Sequence, residues 1–126
     1  MLEPLIIEPT DLTPEVNFIP EKGIFEIKGR SLPEDVFILY DPMLNWIRQY
    51  ITEPLPQTNM VFYLEYFNSS TARLIIKLLL ELEEIPKMGY EVNVKWYYSK
   101  GDTLMQERGE EIKSVVLLPF EIIEVE

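Results

Sequence analysis

Ten prolines punctuate this chain, and their positions decide where regular structure can form. Proline lacks a backbone N–H and holds φ near −65°, so it breaks helix interiors and is kept out of central strands. Pro4, Pro9, Pro14 and Pro20 crowd the first twenty residues, which excludes a helix there and leaves room only for short or edge strands. Val16 to Ile19 alternates loosely, and Ile24 to Gly29 alternates again beyond the Pro20-Glu21-Lys22-Gly23 turn. Two extended runs around a Gly-containing turn predict a β-hairpin. Next, Ser31 or Leu32 stands just outside a helix entry, with Pro33 at its first position and Glu34 and Asp35 in its first turn. Val36, Phe37, Leu39, Tyr40, Met43, Leu44, Trp46, Ile47 and Tyr50 follow at 3–4 spacing and predict one broad apolar helical face. Pro42 is expected to kink this helix or to start a second piece, and Pro54 and Pro56 end it.

The second half alternates between the two periods. Met60 to Glu65, rich in aromatic and branched residues, is a strand candidate. Asn68-Ser69-Ser70-Thr71 is a cluster of helix N-cap types, opening a helix from Ala72 to Ile85 that is apolar on most faces. Pro86 and Gly89 stop it. Tyr90 to Tyr98 reads as a strand with Val92, Val94 and Trp96 on one face and Glu91, Asn93 and Lys95 on the other. Gly101-Asp102 begins a polar, exposed helix that runs to about Lys113, and Val115 to Leu118, Pro119 and Phe120 to Val125 supply a last strand. The order is β-hairpin, α, β, α, β, α, β. Parallel neighbours need crossovers, so this order predicts an α/β fold: a mixed β-sheet with an N-terminal hairpin and about three helices packed on it. Neither an internal repeat nor a dividing linker is visible, so residues 1–126 are expected to form a single domain.

Composition removes most chemistry. There is no Cys and no His, hence no disulfide, thiol nucleophile, imidazole base or ordinary zinc site. Acids outnumber Lys and Arg by 22 to 11, giving a net charge of −11 with no basic footprint, so nucleic acid is not an expected partner. The five glycines form no phosphate-binding pattern. Met1-Leu2-Glu3-Pro4 lacks the basic and apolar regions of a signal peptide. The strongly apolar stretch from Leu74 to Leu82 is broken by Lys77 and Glu81 and is far short of the ~20 residues a membrane span needs. The expectation is a cytoplasmic protein without membrane insertion, cofactor or metal.

Three clusters remain as candidate sites. Glu107 and Glu111 share a helical face at i, i+4 and could approach a divalent cation in a small carboxylate- or metal-dependent enzyme; a solvated acidic face, common on surface helices, is the favoured reading. Trp96-Tyr97-Tyr98 offers stacking faces, but without a basic groove its alternation suits core and surface packing. Asn68-Ser69-Ser70-Thr71 is the most informative. One side-chain oxygen is enough to cap a helix, which leaves three consecutive hydroxyls unexplained. A helix start also favours an anion, so a phosphoryl group of about −1.5 to −2 charge would be tolerated there.

At these residues the chain resembles the SiaC family of bacterial regulatory phosphoproteins, which are similar in architecture to STAS-type anti-sigma-factor antagonists. The matching pieces are Gly29-Arg30-Ser31-Leu32-Pro33-Glu34-Asp35, Tyr66-Phe67-Asn68-Ser69-Ser70, Val92 to Tyr98, Gly109-Glu110-Glu111 and Leu118-Pro119-Phe120-Glu121. The resemblance implies a single STAS-like domain and a non-enzymatic partner switch. It further implies that a cognate Ser/Thr kinase phosphorylates the residue after the Asn of the motif and that a PP2C-type phosphatase reverses this. The unphosphorylated form would bind an effector such as a diguanylate cyclase, linking the chain to cyclic-di-GMP and biofilm signalling. By position the modified residue is Ser69, with Ser70 and Thr71 as the remaining acceptors. Asn68, Ser70, Thr71 and Arg73 would form the switch and partner surface, where Arg73 either pairs with the phosphate or is simply solvated. A constitutive interaction domain without modification is the remaining alternative.

Overall fold

A computed structural model describes residues 2–126. Its elements run β1 (Leu5–Ile7), β2 (Glu15–Ile19), β3 (Ile24–Ser31), α1 (Val36–Ile51), β4 (Gln57–Phe67), α2 (Ser69–Leu82), β5 (Glu91–Ser99), α3 (Thr103–Lys113) and β6 (Phe120–Val125), with one 3-10 turn at Pro86–Met88. The six strands form one sheet in chain order. β1, β2 and β3 are antiparallel, and β3 to β6 are parallel. The expected α/β architecture with a mixed sheet and three helices is therefore the observed one.

Strictly sequential parallel strands have a consequence for the layers. Each right-handed crossover steps the same way along the sheet, so every helix lands on the same face. The burial pattern agrees: Phe25 and Ile27, Met60, Phe62 and Leu64, and Val92, Val94 and Trp96 face the helices and are buried, while the residues between them are not. The core is a single layer between sheet and helices. Two aromatic groups dominate it, one around Phe18, Phe25, Trp46 and Tyr50 and the other around Phe62, Phe67, Trp96 and Phe120.

The expected hairpin is β2–β3, and the proline-rich arm adds the three-residue edge strand β1 to it. Several other local expectations are corrected. Pro33 lies outside α1. Ser31 ends β3 instead of flanking the helix, and Asp35 is the cap, its carboxylate accepting from the N–H groups of Phe37 and Ile38. Pro42 does not divide α1, which is continuous from Val36 to Ile51. The reason lies in the two faces of the helix. Pro42 is on the solvent side, and the carbonyl it frees belongs to Ile38, which is 76 % exposed and can be hydrated, while Tyr40, Met43, Trp46 and Ile47 anchor the opposite side. α2 starts three residues earlier than Ala72 because Ser69, Ser70 and Thr71 form its first turn. Val115 to Leu118 is loop, so the last strand begins at Phe120.

The expectation of an exposed third helix also needs correction. α3 is charged on its outer side, yet Met105, Gly109 and Ile112 are buried against the sheet. Gly109 makes this possible, since a Cβ there would lie 2.6 Å from Trp96 Cδ1. The indole N–H of Trp96 donates to the Met105 carbonyl at 2.9 Å and fixes the ring beneath the helix.

Candidate functional site

In a parallel sheet the loops at the carboxyl ends of the strands are free to carry function. Here that edge holds the starts of all three helices, each capped by an Asx side chain: Asp35, Asn68 and Asp102. The middle one is prepared by an irregularity in β4. Opposite Gly29 the partner is Leu64, but opposite Arg30 it is Tyr66, so Glu65 is an extra residue in the ladder. This bulge reverses the alternation, leaving Glu65 and Tyr66 exposed and turning Phe67 inward. The chain then leaves the sheet at Asn68 in an extended conformation and enters α2.

The four residues 68–71, grouped in sequence, have different fates. Asn68 Oδ1 accepts from the Thr71 N–H at 2.9 Å and from the Ser70 hydroxyl at 3.1 Å. Ser69 is exposed on the first helical turn, Ser70 is half-buried, and Thr71 is completely buried. Thr71 donates its hydroxyl to the Ser31 carbonyl at 3.1 Å, which also receives the Asn68 N–H. Its single proton is then used, so the 2.9 Å contact with Ser31 Oγ has Ser31 as donor. Ser31 has no second proton either, so in the 3.1 Å contact with Tyr40 the phenol donates. A one-way chain of hydroxyls thus runs from α1 through the end of β3 into the first turn of α2. All three side chains are fully buried, and no buried side-chain polar atom among the described residues is left unpartnered. Burial pushes the Tyr40 phenol up to about 12, opposed by its hydrogen bond to Ser31 and by the neighbouring Thr71 hydroxyl.

Ser31 and Tyr40 were not singled out as site residues from the sequence. Ser31 lies at the end of a strand and Tyr40 within an apolar helical stripe, so both look like scaffold. The usable signal was a hydroxyl on an inward-facing strand position, which requires a buried partner.

Arg73 is exposed, one turn beyond Ser69 on the same side of α2, and makes no ion pair among the described residues. Ala72 and Ile76 continue that side. With Phe67, Ile112, Val115, Arg108 and Glu111 they line a shallow groove of about 220 Å³ between α2 and α3. Exposed Phe37 and Ile38 begin α1 at the same edge of the sheet.

The other candidates are arranged differently. Glu107 and Glu111 are both exposed, and Glu111 is paired with Arg108 at 2.7 Å. No group of three metal-ligating side chains occurs among the described residues. In β5, Trp96 and Tyr98 are buried under the helices and Tyr97 lies on the open face of the sheet. No helix among the described residues is long and apolar enough to cross a membrane.

This arrangement has known counterparts. An uncharacterised protein of Pseudomonas aeruginosa strain UCBPP-PA14 is 25% identical over 118 residues, covering 94% of each chain. The crystal structure of the diguanylate cyclase SiaD in complex with its activator SiaC, from Pseudomonas aeruginosa, matches with a TM-score of 0.90 at 25% identity, over 96% of this chain and 99% of the matched one. A structure of SiaC from Pseudomonas aeruginosa matches with a TM-score of 0.88 at 24% identity, over 97% and 98% of the two chains, which speaks for the fold. The model of the SiaC family of regulatory phosphoproteins matches residues 7–125. With nearly its whole length matched, the chain belongs to the SiaC family of regulatory phosphoproteins.

Proposed function

We propose that residues 1–126 act as one non-enzymatic, partner-switching domain in the bacterial cytoplasm, reversibly phosphorylated on Ser69. The observation that carries this reading is the unequal exposure of three adjacent hydroxyls at one helix start. Thr71 is buried and hydrogen-bonded and Ser70 is half-buried against Asn68, whereas Ser69 is open to an incoming kinase. A Ser/Thr kinase adds the phosphate and a PP2C-type phosphatase removes it. The added charge sits where the free N–H groups of α2 and its dipole favour it, with Arg73 one turn away. It also sits at the head of the apolar side that continues through Ala72 and Ile76. An effector that buries this side in the unphosphorylated state would have to desolvate two added charges in the phosphorylated one, which costs several kcal/mol. The effector in this reading is a diguanylate cyclase, supported by the SiaD–SiaC complex of Pseudomonas aeruginosa, and the output is cyclic-di-GMP and biofilm signalling.

The test is phosphopeptide mapping of the native protein combined with capture of a cyclase by wild type, Ser69→Ala and Ser69→Asp. Expected are phosphate on Ser69 alone, cyclase binding by wild type and Ser69→Ala, and binding weakened about tenfold or more by Ser69→Asp. Phosphate still incorporated into Ser69→Ala, or equal binding by all three, overturns the reading.

A further inference from the structure

α1, α2 and α3 pack on one face of the sheet, and the side chains of the other face are half-buried or exposed throughout. Parallel strands are usually covered on both faces, and β3 to β6 are parallel. The register defines what this bare face carries. One row crosses all six strands: Ile6, Asn17, Glu26, Val61, Lys95 and Glu121. The next row, toward the carboxyl ends of the parallel strands, holds Glu15, Lys28 and Tyr63, with Tyr97 and Ile123 beyond them. The preceding row, from Ile19 to Asn93, is uncharged.

Three properties of this face converge. Its middle is neutral and partly fixed: β4 presents Asn59, Val61 and Tyr63, and the Tyr63 hydroxyl is bonded to Ser99 at 2.9 Å with its ring 6.3 Å from that of Tyr97. Second, its charge is nearly balanced. The three rows hold three acids and two lysines, a net −1 in a chain of −11, with Arg30, Glu65 and Glu91 beyond their ends. Third, the charges are self-complementary about β4. In the Val61 row Glu26 and Lys95 flank that strand on opposite sides. A two-fold axis parallel to β4 and above it lays β3 of one copy over β5 of the other. Glu26 then meets Lys95 twice, Lys28 comes over Tyr97, and Val61 and Tyr63 meet their own counterparts. An axis across the strands at the same row would instead set Glu26 on Glu26 and Lys95 on Lys95. Glu26 is also paired with Lys28 of its own strand at 2.9 Å. Lys95 is half-buried and in no ion pair among the described residues, even with Glu121 opposite it on β6.

We propose that the bare face pairs with that of a second copy, two-fold about β4, to form a symmetric dimer with its sheets aligned as in a β-sandwich. The size is adequate. Six strands about 4.8 Å apart and about 30 Å long in the middle present roughly 700 Å², close to the ~800 Å² per partner of a standard interface. The helices point outward in this dimer, which presents two Ser69 surfaces on opposite sides. The pairing does not rest on the switch, because Ser69 heads a helix of the covered face.

Sedimentation equilibrium of the full chain over a concentration series, at physiological salt, tests this. A dimer is expected for wild type and equally for Ser69→Asp, so the result stands or falls separately from the switch. Glu26→Lys alone and Lys95→Glu alone each weaken the dimer about tenfold or more, because like charges are brought together twice. Glu26→Lys/Lys95→Glu keeps both changes within each chain yet regains opposite charges across the axis. Its dissociation constant returns to within about threefold of wild type. An equimolar mixture of the two single variants forms a mixed dimer for the same reason. Wild type that remains monomeric at about 0.5 mM overturns the proposal. So does a dimer insensitive to either single reversal, which lies elsewhere on the molecule. A double variant and a mixture that both stay dissociated overturn it as well, since loss without recovery means damage to the fold or a different geometry.

Discussion

α2 and α3 begin in the same way and are built for different purposes. Both leave the carboxyl end of a parallel strand, and both are capped by an Asx oxygen that accepts from the third helical N–H, Asn68 to Thr71 at 2.9 Å and Asp102 to Met105 at 3.1 Å. In α3 the third residue, Met105, is apolar, its carbonyl receives the Trp96 indole, and Gly109 lets the helix lie on the ring. In α2 the third residue is Thr71, the end of a buried hydroxyl chain, and an exposed serine precedes it by two positions. The caps differ in charge as well. Asp102 places a fixed carboxylate at the start of α3, as Asp35 does on α1, and each already compensates its dipole. Asn68 provides the same hydrogen bond without the charge. Of three equivalent helix starts, only the one bearing exposed serine is left with its positive end free for an anion.

The contrast can be broken first where it is steepest. Gly109→Ala places a Cβ against an indole that is buried and hydrogen-bonded to the helix itself, so neither side can yield. A loss of about 3 kcal/mol is expected in urea unfolding, at the upper end of ordinary overpacking. The same change at an exposed α3 position such as Gln106 should be nearly neutral.

The α2 side is dominated by buried hydrogen bonds instead. Thr71→Val keeps shape but leaves the Ser31 carbonyl and hydroxyl short of a partner in a buried place, and about 2 kcal/mol should be lost. Tyr40 gives the same network a pH signature. Its phenol ionises near 10 in the unfolded chain and at about 12 in the folded one. The contribution to stability is therefore complete below pH ~10 and falls as the pH rises toward 12, because the unfolded chain releases the proton first. Tyr40→Phe should lose this alkaline fall, measured as the shift in denaturation midpoint between pH 9 and pH 11 (an expected difference of about 1 kcal/mol).

How far the sequence revealed these two starts depends on which interactions are local. Alternation in β5, the long apolar stripe of α1 and the Asn68 cap are properties of neighbouring residues, and all were legible. The start of α1 lies three residues beyond the expected one, Val36 instead of Pro33, because Pro33 offers an equally good local helix entry. The bulge at Glu65, the burial of Ser31 and Tyr40 and the approach of Gly109 to Trp96 are not local at all. Ser31 meets Thr71 across forty positions in the chain, and nothing in either neighbourhood indicates the other. The cluster 68–71 was visible as a cluster, while the division of labour within it depends on which way each residue faces once the bulge has turned Phe67 inward.

The finest test of the contrast exchanges the caps. Asn68→Asp retains the acceptor for the Thr71 N–H and adds the charge that α3 already has, so it should stabilise the unmodified protein by about 0.5 kcal/mol through the dipole. It should do the opposite for the modified form. A carboxylate at the cap next to phosphoserine is a like-charge contact at the very position where the phosphate would otherwise be alone with the helix end. The phosphate's second ionisation, followed by phosphorus NMR on Ser69-phosphorylated protein, should therefore move upward in Asn68→Asp relative to wild type. Asp102→Asn, an equivalent exchange on the neighbouring helix, should leave that titration where it is. If both exchanges move it equally, the neutral cap has no local role, and the phosphate responds only to the overall acidity of the chain.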